Sequence, residues 1–276
     1  MTKILYGDVY AQELKAKLKE VCEDLKPVLA VVLVGDDYGS IQYTKQIVKN
    51  CEACAVEVKQ YLLKEDTNEE ELLNLIEKLN EDVEIDGIIV QLPLPKHLDK
   101  EKVIEKITPA KDVDGVHPTN LGRLLSGQEA LEPCTAKAVM RMLEYYEVDV
   151  RGKNVVIAGR SNSVGKPLLA MMLKKNATVT ICHSHTRDLY ELTKKSDIMI
   201  AAIGRAKYFT EEYFQADNIV IDVGINMDEE GLCGDVDYSN VVDKVKAITP
   251  DPKGVGSLTI AMLIDNLVEI KRGRQE

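Results

Sequence analysis

The chain has 276 residues, with 46 acidic side chains against 35 basic ones and a formal net charge of −11. That length exceeds what one hydrophobic core usually holds, and 45% hydrophobic with 29% charged residues exclude a disordered chain. A pI near 5.0 gives nucleic acid or an anionic bilayer little to hold. The longest apolar run, residues 28–34, falls far short of the roughly 18 residues of a membrane span. The N-terminus carries Asp8 and Glu13 and lacks the apolar segment of a secretory signal, so the expectation is a cytoplasmic protein with no nucleic-acid and no membrane partner.

Apolar runs alternate with helix-period segments, the pattern that builds parallel α/β sheets. In the first half, strands are expected at 28–34, 55–63 and 86–91, covered by helices at 8–24, 40–53, 68–81 and 99–107. Segment 132–147 reads as a helical connector. After it come strands at 154–158, 177–182, 197–202 and 218–223. The last segment, 257–272, places Leu258, Met262, Leu263, Leu267 and Ile270 at helical spacing and is expected to pack back across both domains. The fold class is therefore α/β with two domains and a mainly parallel sheet. The first spans 1–131 and is joined by the returning helix 257–276. The second spans 132–256, a linker helix plus a second α/β unit.

The six cysteines do not form a disulfide framework in a chain of this length. Only Cys51 and Cys54 have CxxC spacing, and with no second pair or nearby histidine they read as helical thiols packing at i, i+3. No metal site is expected.

After the connector, strand VVIAG runs into Gly159, Arg160, Ser161, Asn162, Ser163, Val164, Gly165, Lys166 and Pro167, and then into a helical segment. Such a turn brings backbone close to a phosphate, and the first amides of the helix supply donors and the positive dipole end. A Walker loop is excluded, because five residues separate the glycines and Pro167 follows Lys166. A nucleophile elbow is excluded because Ser163 occupies the place of its second glycine. The spacing is not GxGxxG either, so the turn alone leaves open a dinucleotide site or a structural strand-to-helix turn. At the end of the next strand, Ile181-Cys182-His183-Ser184-His185 offers no acid for a ribose 2′-hydroxyl before Asp188. Arg160, Ser184 and His185 suit a 2′-phosphate instead, which favours NADP, with NAD possible; the alternative is that the histidines are exposed turn residues.

In the first half, Tyr43 and Ile47 are i, i+4 on a helix that follows strand 28–34, and Gln91 stands where strand 86–91 ends. Open parallel sheets bind ligands just beyond such strand ends. The loop Lys111-Asp112-Val113-Asp114-Gly115-Val116-His117-Pro118 adds two carboxylates. The blocks VGDDYGSIQY, DGIIVQLPLP, KDVDGVHPTNLGRL, PCT, VVIAGRSNSVGKPL, CHSHT, DVGIN with GDVD, and TPDPKGVGSLT follow in order. Over essentially its whole length the chain thereby resembles the methylenetetrahydrofolate dehydrogenase/cyclohydrolase family.

The resemblance implies oxidation of 5,10-methylenetetrahydrofolate by NADP or NAD and, in bifunctional members, hydrolysis of the methenyl product to 10-formyltetrahydrofolate. It implies a homodimer acting on tetrahydrofolate derivatives, with a folate cleft between the two domains, the second of which, 132–256, is then a linker helix plus a Rossmann-like NAD(P)-binding domain. Carried over by position, Tyr43 lies against the folate ring system, Gln91 hydrogen-bonds in the catalytic pocket, and Asp114, rather than Asp112, receives the amino edge of the pterin. Gly159, Arg160, Ser161, Ser184 and Ile225 line the cofactor site, and Pro252, Gly254, Val255 and Gly256 border the folate.

The match breaks at Ile47, where bifunctional members carry a lysine that serves the cyclohydrolase step. Lys45 and Lys49, each two residues away, are turned roughly 160° around the helix and do not substitute. The expectation is a dehydrogenase with weak or absent cyclohydrolase activity. The rivals are a fully bifunctional enzyme and a non-catalytic folate-binding regulatory protein. Milder departures follow PCT, at His185, and at Lys253 and Ser257, which replace a glycine and a proline.

Overall fold

The computed structural model describes residues 1–229 and 231–274. From the N-terminus the elements are β1 (Lys3–Ile4), α1 (Gly7–Leu25), β2 (Val28–Val34), α2 (Tyr38–Ala53), β3 (Glu57–Leu63), α3 (Glu69–Glu81), β4 (Gly87–Val90), α4 (Lys100–Lys106), α5 (Pro118–Leu125) and α6 (Cys134–Tyr145). They continue as β5 (Asn154–Ala158), α7 (Gly165–Lys174), β6 (Thr178–Cys182), α8 (Leu189–Lys194), β7 (Ile198–Ala201), β8 (Ile219–Asp222), β9 (Asn226–Asp228), β10 (Gly231–Cys233), α9 (Tyr238–Val241), β11 (Ala247–Ile248) and α10 (Gly256–Gly273). The chain divides into two units. Glu13–Gly122, Ala130–Cys134 and residues from Ile260 onward form one, and Met1–Gln12, Arg123–Glu129 and Thr135–Thr259 form the other. No helix among the described residues is long and apolar enough to cross a membrane.

The first unit is built on a parallel sheet in the order β3-β2-β4. Strand β2 is apolar at every position because both faces of a parallel sheet are covered. Side chains alternate. Ala30, Val32, Val34, Ile88 and Val90 pack with Leu72, Ile76, Leu79 and Val103 of α3 and α4, while Leu29, Val31, Leu33 and Ile89 point the other way. Helix α2 is assigned to that other face, since the crossovers from β2 to β3 and from β3 to β4 run in opposite directions across the sheet and the right-handed rule for parallel crossovers puts their helices on opposite faces. Asp37 starts α2 by accepting the Ser40 N–H at 2.8 Å. The far end of α10 is tied to this unit by Asn266, whose Nδ2 donates to the carbonyls of Val113 and Glu132 at 2.9 Å each. Lys271 adds an ion pair at 3.0 Å to Asp86, a carboxylate only 1% exposed.

The second unit carries a six-stranded parallel sheet in the order β1-β11-β8-β7-β5-β6, with β9 and β10 as a separate antiparallel hairpin. Phe209, Phe214, Val220, Val236 and Ile248 lie in its core. Here the observed division departs from the expected one. The sequence reading puts residues 1–12 with the first domain, but Lys3 and Ile4 pair in parallel with Ala247 and Ile248 and extend the second unit's sheet. A two-residue strand has no readable periodicity; what fixes it is the pairing of its backbone groups, as in the Leu5 N–H to Ile248 carbonyl bond of 2.9 Å.

Candidate active site

In the second unit β5 is hydrogen-bonded to β6 on one side and β7 on the other, so the loop after Ala158 opens at the switch point of the sheet. Gly159 has φ +131°, and a Cβ there would meet the Ala202 carbonyl oxygen at 2.1 Å. A Cβ on Gly165 would meet the Gly159 carbonyl oxygen at 2.0 Å. Strand, turn and helix therefore close on one another through bare backbone. Between the glycines Arg160, Ser161, Asn162 and Ser163 are exposed. Ser161 closes the turn, its Oγ accepting the Val164 N–H at 3.1 Å, and Lys166 is held by Asn162 Oδ1 at 2.7 Å. The Arg160 guanidinium has no ion-pair partner among the described residues.

Pairing of Ala158 with Cys182 sets Arg160 and Ser184 two residues beyond the ends of neighbouring parallel strands, and both are exposed. His183 is used within its own turn, its Nδ1 accepting the His185 N–H at 3.2 Å, while His185 is exposed. A turn bounded by two glycines whose missing Cβ atoms leave room for close backbone approach, the N-terminus of a ten-residue helix and a guanidinium without an ion-pair partner among the described residues fit the phosphates of a dinucleotide.

The DVGIN and GDVD blocks, which the sequence marks only as motifs, are two loops stapled by carboxylates. Asp222 accepts N–H groups of Gly224, Asp235 and Val236 at 2.9, 3.1 and 2.8 Å. Asp235, fully buried, accepts those of Ile203, Gly204 and Arg205 at 2.6, 3.1 and 2.8 Å. Burial pushes the Asp222 carboxyl up to about 7 against the pull of the Val236 and Asp235 amides. Added Cβ atoms at Gly224 and Gly234 would strike carboxyl oxygens at 2.4 and 2.0 Å, which explains both glycines. Ile225 projects from this frame, 66% exposed, and its Cδ1 would be 3.2 Å from a Cβ on Gly256. In the loop leading to Gly256, Pro252 and Gly256 are exposed, whereas Gly254 and Val255 are buried, so Val255 offers backbone rather than side chain. Lys253 has φ +83°, in the left-handed region that favours glycine.

In the first unit the structure puts Tyr43, Gln91 and Asp114 on α2, just past β4, and in the loop before α5. Tyr43 is 42% exposed. Helix α2 buries Ser40, Thr44, Ile47 and Cys51 along one stripe, so Ile47, 0% exposed, is a core residue; Lys45 and Lys49 lie on the exposed side. Gln91 is 3% exposed and its N–H donates to the Val32 carbonyl at 2.9 Å. Among the described residues three buried side-chain atoms lack a hydrogen-bond partner: Asp8 Oδ1, Thr44 Oγ1 and Gln91 Nε2.

The two loop acids have different duties. Asp112 is 1% exposed, and its Oδ2 accepts the His117 N–H at 2.7 Å and Asn120 Nδ2 at 3.0 Å, which holds the loop. Asp114 is only partly buried as a residue, yet its carboxyl lies deep enough that burial, with the Asp112 charge adding to it, pushes it up to about 7. Thr44, Asp222 and Asp235 were not singled out by sequence reasoning. The last two lay inside quoted motifs, and Thr44 is one turn beyond Ser40 on the same helix face. Cys51 and Cys54 are free and buried, and burial pushes the Cys51 thiol up to about 12, the behaviour of packing thiols rather than metal ligands.

Residues 5–114 match the family model of the tetrahydrofolate dehydrogenase/cyclohydrolase catalytic domain, and residues 133–275 match that of its NAD(P)-binding domain. The chain is 50% identical over 276 residues to the bifunctional protein FolD of Clostridium botulinum strain Langeland, covering 98% of each sequence. The crystal structure of the bifunctional FolD methylenetetrahydrofolate dehydrogenase/cyclohydrolase from Campylobacter jejuni is 43% identical with a TM-score of 0.97, covering 99% of this chain and 100% of that one. The Trypanosoma brucei N5,N10-methylenetetrahydrofolate dehydrogenase-cyclohydrolase, solved with NADP and an inhibitor, is 31% identical with a TM-score of 0.95, covering 100% and 99%. The chain therefore belongs to the tetrahydrofolate dehydrogenase/cyclohydrolase family and carries both its catalytic and its NAD(P)-binding domain.

Proposed function

We propose that this chain, as a methylenetetrahydrofolate dehydrogenase, works with NADP in preference to NAD and has a weak or absent cyclohydrolase step. When bound, the nicotinamide cofactor accepts the hydride from the one-carbon bridge of the folate. The task left to the protein is placement. In this reading Tyr43 rests against the folate rings, Gln91 donates to them, and ionised Asp114 accepts the paired N–H groups of the pterin. Pro252, Gly254, Val255 and Gly256 border the folate through a loop whose backbone is its main polar surface. Gly159, Arg160, Ser161 and Ser184 receive the phosphates, and Ile225 offers an apolar contact to the nicotinamide end. The unpaired Arg160 supports NADP, as does the NADP bound to the related Trypanosoma brucei enzyme. A cytoplasmic homodimer belongs to the same reading on the strength of the family resemblance.

The observation that carries the cyclohydrolase part is Ile47, an aliphatic side chain buried one turn past Tyr43, with Lys45 and Lys49 on the exposed side of the helix. Hydrolysis of the methenyl cation needs a positioned proton-transfer group, which typically contributes about 10² to 10⁴ in rate. The competing reading, a fully bifunctional enzyme, is favoured by relatives that bear the name bifunctional at about half identity. Initial rates with NADP and NAD, followed by methenyl-to-formyl conversion on the same preparation, separate the two. A conversion rate lower by about 10² or more than in a lysine-bearing relative is expected, and an equal rate overturns this part of the reading. Ile47→Lys is expected to raise the conversion while lowering stability by about 1–3 kcal/mol, since its ammonium starts from a core position.

A further inference from the structure

Two of the three unpartnered buried side-chain atoms among the described residues belong to neighbouring elements of the first unit. Gln91 Nε2 sits on a residue 3% exposed, and Thr44 Oγ1 on a residue also 3% exposed. Strand alternation puts Gln91 on the same face as Ile89, opposite Ile88 and Val90, and α2 covers that face. The first turn of α2 reaches the exit of β4 directly, Ser40 Oγ donating to the Leu92 carbonyl at 3.3 Å. Thr44 is one turn farther along the same stripe, and Gln91 immediately precedes Leu92.

A helical threonine ordinarily satisfies its hydroxyl on the carbonyl three or four residues back. Thr44 does not. Leaving a buried donor or acceptor without a partner is unfavourable, and two such groups at one end of one helix–strand pair would disfavour the fold with nothing in return. The opposition disappears if a ligand completes both. An amide N–H of Gln91 needs an acceptor, and the hydroxyl of Thr44 can donate to the same atom.

We propose that Thr44 is a further contact of the folate pocket, its hydroxyl and the Gln91 carboxamide jointly holding one acceptor atom of the folate ring system. The inference rests on the folate reading above and adds to it a residue that is neither charged nor part of the resemblance. It also gives α2 a second polar contribution besides Tyr43, on a face where Ile47 supplies none.

The test uses the full-length enzyme and tetrahydrofolate itself as probe, with dissociation constants by calorimetry, NADP binding as control and thermal melts for stability. Thr44→Val keeps the shape and removes the hydroxyl, and Thr44→Ser keeps the hydroxyl. The expected result is a Kd for tetrahydrofolate raised about 3- to 10-fold in Thr44→Val, the amount one neutral hydrogen bond is worth. Thr44→Ser should stay within about twofold of the parent, NADP binding should be unchanged in both, and the melting temperature of Thr44→Val should be equal or higher. Parent-like tetrahydrofolate binding by Thr44→Val overturns the proposal, as does an equal loss in Thr44→Ser, which would assign the effect to methyl packing. Failure of the parent enzyme to bind tetrahydrofolate at all would instead overturn the folate reading and this inference with it.

Discussion

The glycine turn of the second unit and the Gln91 region of the first hold their binding capacity in opposite ways. At the turn, close backbone contacts are complete without ligand, and the polar side chains Arg160, Ser161 and Ser184 stand in solvent. In the first unit the polar groups are buried: Thr44 Oγ1 and Gln91 Nε2 lack partners among the described residues, and burial pushes the Asp114 carboxyl toward neutrality. The first arrangement attracts anions at no cost to the fold, because exposed charges are already hydrated. The second leaves buried polar groups unsatisfied, and in the proposed folate reading it therefore discriminates more sharply among ligands, because a partner lacking the matching group would leave those atoms unpaired.

The largest expected effect breaks the backbone side of this contrast. Gly159→Ala places a Cβ 2.1 Å from the Ala202 carbonyl oxygen at φ +131°, and a loss of about 2–4 kcal/mol in stability is expected together with loss of dinucleotide binding. Denaturant melts and fluorescence titration with NADP measure both; an unchanged melt would mean that the turn is not closed by this contact.

A smaller effect sharpens the buried side. Asp114 has a carboxyl pKa raised to about 7, chiefly by burial. In the proposed reading a pterin's N–H pair meets this carboxyl and favours its ionised form, so binding would lower the pKa and release a proton. Affinity for tetrahydrofolate should therefore be highest above pH 7 and weaken toward tenfold per unit as pH falls below about 7. In Asp114→Asn that slope should vanish along with most of the affinity, and calorimetry in buffers of different ionisation enthalpy would detect the missing proton release. A slope retained in the variant would assign the titration to another group.

The smallest concerns the loop that borders the proposed folate site. Lys253 holds φ +83° while its carbonyl accepts the Gly7 N–H at 2.8 Å, a conformation glycine adopts without strain. Lys253→Gly should stabilise the protein by about 0.5–1 kcal/mol, partly offset by the added freedom of the unfolded chain. A lower melting temperature would show that the Lys253–Asp8 ion pair at 3.7 Å outweighs the strain.

What could be read in advance depended on how local the cause was. Strands at 28–34 and 154–158 and the helix on 68–81 declare themselves by apolar runs, period and caps such as Asn68, whose side chain accepts the Glu71 N–H at 2.9 Å. Tyr43, Gln91 and Asp114 emerged as candidates from strand ends and motif blocks. Strands β1 and β11, two residues each, carry no period and exist because each completes the other's backbone hydrogen bonds across more than 240 positions. The difference between Asp112 and Asp114 was equally invisible to spacing, since it comes from which carboxyl His117 and Asn120 reach.

By itself, the order of residues determined the α/β class, the glycine positions, the family and an aliphatic side chain at position 47, because each follows from residue identity and near-neighbour spacing. Only the tertiary structure decided that the first twelve residues join the second unit, that Asp222 and Asp235 staple the loops around Ile225, and that Thr44 Oγ1 and Gln91 Nε2 find no partner among the described residues. Those outcomes depend on which distant backbone groups and side chains meet, and hydrogen bonding and burial are properties of meetings rather than of residues.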